Sequence, residues 1–408
     1  MNLIDRHNAG FPKTCILFAT ADWDEPYWTN KQHSAKSLAD LGLLVLYVES
    51  VGLRTPKVGS ARDWQRLRKR LIKGVKSLIF GASETMPGIY VLSPLAIPAG
   101  HRCGLLRLIN RFLLKLSIRR SLWGKDFARP LVWTYHPFML EALPRAMESD
   151  GILYHCVDDL AALPDIDKNT FRDAEVELLR RADIVFVTAP ALVAHCKEIN
   201  PDTHFLPNVV DIDNFGQARQ PGPILSEFDG IPEPRIGFHG VLSDFKIDFK
   251  LLLNAARMRP QWHWVFVGEE REGQKSPFVE ELARLPNVHF LGYRSYKELP
   301  KFLRGIEVGL LPALLNDYTR SMFPMKYFEY IAAGLPVVAT PLDALLSTNA
   351  AHVAFGGGEI EFCKAIEKQL EQGRLSSSQI EEAVGENTWI SRSVRMLNLL
   401  EKQHEKRR

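Results

Sequence analysis

The chain has 408 residues, of which 46% are hydrophobic, 24% charged and 10% aromatic. That length holds two domains of ordinary size, and the composition excludes a disordered, collagen-like or coiled-coil chain. A formal charge of +3 conceals a dipole: residues 54–129 carry 17 Lys/Arg against Asp63, Glu84 and Asp126, a net +14, and the rest sums to −11, so a basic face for a membrane, an anionic substrate or nucleic acid is expected.

Cys15, Cys103, Cys156, Cys196 and Cys363 form no C-x-x-C pair and no Cys/His spacing suited to zinc, and their odd number leaves at least one thiol free. A reducing, cytoplasmic setting fits that usage. No run approaches the ~18 apolar residues of a membrane-spanning helix, and MNLIDRHNAG at the start lacks the basic-then-apolar pattern of a signal peptide. A chain neither secreted nor integral is the expectation.

In chain order, TCILFAT (14–20), LLVLYVE (43–49), IYVLS (89–93), LVWTY (131–135), ILYHCV (152–157) and DIVFVT (183–188) are short apolar runs rich in β-branched residues. That is the pattern of parallel strands buried on both faces, and helical periodicity separates most of them. Two separating segments, WQRLRKRLIKGVKSLIF (64–80) and GLLRLINRFLLKLSIRRSLW (104–123), are basic. In the second, Arg107, Arg111, Lys115 and Arg119 recur every four residues as a cationic stripe beside Leu106, Ile109, Leu113, Leu116 and Trp123. Such a helix suits an anionic leaflet, where each Lys or Arg contributes ~1 kcal/mol; the solvated outer face of a Rossmann helix is the alternative. Nucleic acid is not expected as a partner, because no recognised binding module or basic-aromatic interleaving accompanies the charge.

After the turn-rich stretch QPGPILSEFDGIPEPR (220–235) the alternation restarts with IGFHG (236–240), WVFVG (264–268), VHFLG (288–292), VGLLP (308–312) and PVVAT (336–340). The chain therefore reads as α/β, with one Rossmann-like domain over 1–218, a second over 219–387 and a closing helix over 388–408. No internal repeat at a period of 20–50 residues is present. Two such units imply a ligand cleft between them at the carboxyl ends of the strands.

The segment MFPMKYFEYIAAGLPVV (322–338) carries the most chemistry. Pro324 suits a first helical turn, Gly334 a left-handed cap, and Pro336 blocks continuation, which predicts a helix about 10 residues long. Phe323, Tyr327 and Ile331 fall on one face, while Lys326 and Glu329 share another near the N-terminus. Helix amides attract phosphate, the lysine adds a point charge, and a carboxylate accepts bonds from both ribose hydroxyls, so the segment suits a nucleotide diphosphate. A surface ion pair is the plainer alternative. Gly240 and Gly268 each follow an apolar strand, where a missing side chain lets backbone approach a phosphate or ribose, although the strand-end turns of any α/β protein look alike.

The motif S-x-x-P-x-K-x-x-E-Y-x-A-A-G-x-P-V-V, read at Ser321, Pro324, Lys326, Glu329, Tyr330, Ala332, Ala333, Gly334, Pro336, Val337 and Val338, resembles that of the GT-B glycosyltransferases. The resemblance is strongest to family 4 (group 1) and to enzymes of bacterial exopolysaccharide and teichuronic acid synthesis. YHCVDD (154–159), LLRRADIVFVTAPAL (178–192), LPNVVDIDNF (206–215), IGFHGVLSDFKID (236–248) and NVHFLGYRSYKELPKFL (287–303) extend it over half of the first domain and all of the second. It implies the GT-B fold, two Rossmann-like domains facing a central cleft, with WISRSVRMLNLLEK (389–402) returning to the first domain. It also implies a nucleotide-sugar donor, UDP-sugar favoured, held by Gly240, Lys246, Gly268, Ser321, Met325, Lys326 and Glu329, with no cofactor and no metal. Many members carry a further glutamate eight residues before Glu329, where Ser321 stands here. Only Lys246 stands where an Arg and a Lys usually follow the first strand of that domain, so the diphosphate is expected to lean on Lys326.

On the acceptor side, an inverting transferase needs a base for the acceptor hydroxyl. Asp158 and Asp159 directly follow ILYHCV, and carboxylates paired so closely tend to have one pKa raised, which suits a base. Inverting relatives use an aspartate at about this place, so Asp158 is favoured with Asp159 as alternate; capping of the next segment is the competing role. His136, before Pro137, is a third catalytic candidate because many GT-B enzymes place a histidine there, though a histidine packed at a strand end reads the same way. Trp23-Asp24-Glu25 is a candidate lining of the acceptor groove. Asp165-Ile-Asp167 and Asp211-Ile-Asp213 imitate a metal-binding D-x-D without following a strand, and neither is expected to hold a metal.

These readings converge on a cytoplasmic, metal-independent glycosyltransferase, peripheral on the inner face of the plasma membrane, that moves a sugar from a nucleotide diphosphate to a lipid-linked or growing glycan. A GT-B epimerase is one rival and leaves the basic region unexplained. A catalytically silent nucleotide-sugar-binding subunit is another, motivated by Ser321. Donor sugar, acceptor and anomeric outcome stay open.

Overall fold

The computed structural model describes residues 11–50, 61–95, 104–138, 148–163, 166–270 and 276–407. Two parallel sheets organise them. The first holds β1 (Thr14–Phe18), β2 (Leu44–Val48), β3 (Ser83–Met86), β4 (Ile89–Leu92), β5 (Leu131–Thr134), β6 (Ile152–Cys156), β7 (Ile184–Val187) and β8 (Thr203–Phe205), in the order β3-β4-β2-β1-β5-β6-β7-β8. Only β3 runs antiparallel, as a hairpin with β4. The second holds β9 (Arg235–His239), β10 (His263–Val267), β11 (Val288–Phe290), β12 (Val308–Leu311), β13 (Val337–Ala339) and β14 (Val353–Phe355), in the order β11-β10-β9-β12-β13-β14. Counted from its own first strand that order is 3-2-1-4-5-6, the Rossmann arrangement, and the direction of winding reverses between β9 and β12. Ligands of such sheets bind outside the carboxyl ends of the strands at that reversal.

All eleven anticipated runs form strands. The unanticipated ones, β3, β8 and β14, lie at sheet edges; three of the four β3 residues are exposed, which removes the apolar signal of a central strand there, while β8 and β14 are only three residues long.

The chain divides into two compact units: Met1–Thr188 with Leu192–Leu206 and Ile390–Arg408, and Ala189–Ala191 with Pro207–Trp389. The division falls at Pro207 rather than at 219. Val210, Phe215 and Ala218 bury into the core of the second unit, and so do Phe228 and Ile231 of the turn-rich stretch, so apolar burial draws the whole segment there. In the first unit the Trp389–Arg407 helix adds Met396, Leu397 and Leu400 to a core that includes Leu17, Tyr47, Trp133 and Phe186. Arg392 on that helix donates to Asn30 Oδ1 at 2.9 Å, and Ser37 donates to Ser393 at 2.8 Å.

In the second unit the Met325–Ala332 helix lies flush on the sheet because β12 offers it a glycine. A Cβ at Gly309 would lie 2.5 Å from the Tyr330 ring. The Tyr330 hydroxyl accepts from the His239 backbone N–H at 3.2 Å and donates to the Gly237 carbonyl at 3.4 Å, which ties the ring to β9. A ring anchored at both ends cannot yield to an added methyl. Gly309→Ala is therefore expected to lower stability by about 1–3 kcal/mol through overpacking alone, read from the urea midpoint at unchanged slope.

Candidate functional site

Pro324 is the residue before the helix, with φ −72° and ψ 117°, and not part of its first turn. Its extended ψ starts the helix at Met325, so the helix runs eight residues, Met325–Ala332, and not ten. Gly334 closes it with φ +79°, as the left-handed cap requires. Gly334 and Leu335 then return their N–H groups to Ile331 and Tyr330. Phe323, Tyr327 and Ile331 enter the core as anticipated, which leaves Lys326 and Glu329 turned toward the end of β9.

Here the side chains meet. A Cβ on Gly240 would come 2.7 Å from Lys326 Cε, so the lysine stem occupies the room that the glycine leaves; its Nζ sits 5.4 Å from the centre of the Phe238 ring. Gly240 has φ +110°, a conformation other residues rarely adopt. Gly268 serves the chain itself: a Cβ there would be 1.9 Å from the Gly240 carbonyl oxygen. Its missing side chain admits Gly240 backbone. Lys246 lies in the turn after Gly240, with Nζ 4.9 Å from the Phe245 ring and 5.2 Å from that of Tyr318. Ser321 ends the short Asp317–Arg320 helix just ahead, and Met325 opens the next.

Glu329 is buried, and its Oε2 lies 3.3 Å from Nε2 of His239. Burial pushes its carboxyl up to about 7, against the pull of Lys326. Burial, with Lys326 adding to it, holds the His239 imidazole well below its usual range, so the ring is neutral. The lysine is itself lowered by burial, with Glu329 opposing and Lys246 reinforcing. His239 was not among the residues singled out in the sequence; its only mark there is its place at the end of the first strand of the unit, directly before Gly240.

In the first unit, His136 follows β5 fully buried, and neither ring nitrogen has a hydrogen-bond partner among the described residues. Burial and the Lys31 charge lower it to about 3, so it too is neutral. The aspartates after β6 divide. Asp159 accepts from Ala161 N–H at 3.1 Å and from Arg172 at 2.5 Å, so it caps the turn over Leu160–Ala162. Arg172 is held in turn by the buried Glu175, which also accepts from the Tyr154 hydroxyl at 2.8 Å. The half-buried Asp158 carboxylate has no partner of this kind among the described residues. Asp24 pairs with Lys73 at 2.8 Å. Asp167 and Asp211 each cap a helix, through Thr170 and Asn214, while Asp165 lies outside the described residues. No three His, Cys, Asp or Glu side chains among the described residues gather so as to hold a metal ion.

The basic helices differ in detail from the expected stripe. Gly104–Leu122 packs beside Ala61–Phe80 and turns Leu114, Ser117, Ile118 and Ser121 inward. Leu105, Leu108, Phe112 and Leu116 are left exposed on one helix, and Leu71, Ile72, Val75, Ile79 and Phe80 on the other, with Trp123 76% exposed beyond. Arg119 is exposed, Arg111 and Lys115 are half-buried, and the Arg107 side chain lies outside the described residues. The surface is therefore an apolar patch with cations beside it. No helix among the described residues is long and apolar enough to cross a membrane.

Two Rossmann-like units, the second carrying this lysine-glutamate helix at its winding reversal, define the GT-B class. Residues 233–372 match the family of glycosyl transferases group 1. Over 241 residues, 55% of the chain, it is 31% identical to TuaH of Bacillus subtilis (strain 168), named for teichuronic acid biosynthesis as a glycosyltransferase; the match spans 59% of that relative's length. Sucrose-phosphate synthase from Thermosynechococcus elongatus superposes over 97% of this chain and 98% of its own, with TM-score 0.60 and 15% identity. Anabaena Alr3699/HepE, solved with UDP and glucose, does so over 97% and 99%, with TM-score 0.55 and 15% identity. The chain has the GT-B fold, and its similarity to the group 1 glycosyl transferases lies in residues 233–372.

The raised Glu329 carboxyl has a thermodynamic consequence. Its folded value of about 7 lies above the unfolded 4.5, so the folded state holds the proton more tightly. Stability contributed by this group is highest below pH 4.5, falls as pH rises toward 7, and above that stays reduced by about 3 kcal/mol. Glu329→Gln carries no such charge. It should be the more stable protein above pH 7 by up to that amount, with the gain vanishing toward pH 4.5 in chemical denaturation series across that range.

Proposed function

We propose that this chain transfers a sugar from a nucleoside diphosphate sugar, UDP-sugar first among them, to a lipid-linked or growing glycan. The observation that carries the reading is the meeting of Lys326 with Gly240 and of Glu329 with His239 at the end of β9, beside the β9/β12 reversal. UDP is favoured because the fold neighbour HepE is described with UDP and glucose. A glycan acceptor is favoured because TuaH is named for teichuronic acid synthesis.

In this reading Glu329 accepts from the ribose hydroxyls, which requires its ionised form. Lys326 and the positive end of the Met325–Ala332 helix dipole offset the charge that grows on the departing diphosphate, with Lys246 near by; a metal ion is then dispensable. Asp158 takes the acceptor proton if the reaction inverts, since its carboxylate is not committed as that of Asp159 is. The neutral, buried His136 helps shape the acceptor side. Ser321 stands in for the second glutamate of many relatives and offers the sugar a hydroxyl in place of a carboxylate. The test is acceptor-dependent release of UDP from UDP-sugars with a lipid-diphosphate glycan in excess EDTA. Lys326→Ala and Glu329→Ala should each weaken UDP binding by ~1.5–3 kcal/mol in calorimetry, and Asp158→Asn should stop transfer while UDP still binds. Epimerised donor without acceptor would favour the epimerase, and binding without turnover the silent subunit; turnover that vanishes with chelator and returns with Mn²⁺ would refute metal independence.

The exposed apolar patch on the two basic helices supports attachment to the inner leaflet, apolar residues entering the headgroup boundary and the neighbouring cations drawing on anionic lipid. Sedimentation with anionic vesicles should weaken as salt rises, because the Debye length is ~8 Å at physiological ionic strength and shorter above it. Leu108→Ser with Phe112→Ser should release the protein at any salt concentration while UDP binding by the other unit survives. Wild type that ignores anionic vesicles, or a double variant that still sediments, would assign the patch to a protein partner instead.

A further inference from the structure

Nothing in the donor chemistry above uses His239, yet from another element it brings Nε2 to 3.3 Å from the Glu329 carboxylate. Its ring is fixed from several directions. The Tyr330 ring meets it edge-on at 5.0 Å and 78°, Phe215 lies at 6.2 Å and 32°, and its backbone N–H is bonded to the Tyr330 hydroxyl. Only 3% of it is exposed. Nε2 faces Glu329 Oε2 at 3.3 Å, off the alignment of a closed hydrogen bond, and has no other partner among the described residues.

A neutral imidazole carries one N–H. A fully buried ring nitrogen without a partner is costly, and the Glu329 carboxylate is the acceptor within reach. A small rotation of the glutamate closes the bond. It then holds one carboxylate oxygen against β9 and leaves the remaining lone pairs of the group in a fixed plane, where a vicinal diol can donate to them. Fixing the plane matters because a buried carboxylate that swings loses the geometry for two hydroxyls at once.

We infer that His239 is a positioning residue for the donor site: by donating from Nε2 it orients Glu329, and through Glu329 it sets the preference for a ribonucleotide over its 2′-deoxy analogue. The inference rests on the assignment of Glu329 to the ribose. Both are tested by calorimetry of the full-length chain with UDP and with 2′-deoxy-UDP. Wild type should prefer UDP by about tenfold or more, the loss of one hydrogen bond to a charged group. Glu329→Ala should abolish the preference. His239→Phe keeps a ring against Tyr330 and Phe215 but has no donor, and should cut the preference several-fold. His239→Gln, which can offer an N–H again, should restore most of it, an outcome that a merely structural role would not give. In the Glu329→Ala background His239→Phe should change nothing further, since its effect passes through the carboxylate.

The two ways of failing are separate. A preference that survives Glu329→Ala, or is absent in wild type, overturns the ribose assignment and the inference with it. A preference lost in Glu329→Ala but intact in His239→Phe overturns the inference alone. If His239→Phe does not melt cooperatively, nitrogen-resolved NMR of the wild-type UDP complex decides: a protonated Nε2 is expected, and a ring protonated only at Nδ1 overturns the proposal.

Discussion

The candidate site depends on how closely two pieces of backbone approach at the end of β9. The Gly240 carbonyl stands where a side chain at position 268 would begin, and the Lys326 stem stands where a side chain at 240 would begin. The contact at Gly268 is with backbone and excludes any larger residue, and the φ of +110° holds position 240 to glycine, so β9 and β10 are locked at one separation. Tyr330 completes the lock by resting on Gly309 and bonding to β9. A helix held this way carries Lys326 and Glu329 to the winding reversal of the sheet as a matter of packing.

The same tight packing sets the electrostatics. A cation and a carboxylate are both partly or wholly removed from water, each with its charged form disfavoured by burial and favoured by the other. The arrangement costs stability, and a folding unit built for stability alone would place apolar residues there. Retaining it makes sense when a charged, hydroxyl-rich ligand completes it, because preorganised charges need no rearrangement when they act. The neutral His239 beside them adds a donor without adding charge.

The first unit follows a different logic. Its polar groups are committed to structure where they can be: Asp159 to a cap and Arg172, and Glu175 to Arg172 and Tyr154. That network braces the turn after β6, and beside it the Asp158 carboxylate has no such partner among the described residues. On its outer surface the unit leaves a row of leucines, isoleucines and phenylalanines exposed across two helices, more apolar surface than scattered surface residues account for.

Much of this was legible in the residues in order. Central strands announce themselves because burial on both faces demands unbroken apolar runs, and the Lys326-to-Val338 motif carries its helix, its left-handed Gly334 and the relation between Lys326 and Glu329 within a few turns of chain. The edge strand Ser83–Met86 was not legible, because three of its four residues face water. Neither was the division at Pro207, which depends on where Val210 and Phe215 find apolar partners. Only the tertiary structure separated Asp158 from Asp159, since the choice lies with Arg172, thirteen residues further along and brought back by a helix. Only it showed that Gly268 yields to Gly240 and that His239, ninety residues from Glu329, faces that carboxylate. Local sequence fixes backbone conformation and the side chains within one helix; which side chains meet across strands is decided by the packing of the sheet.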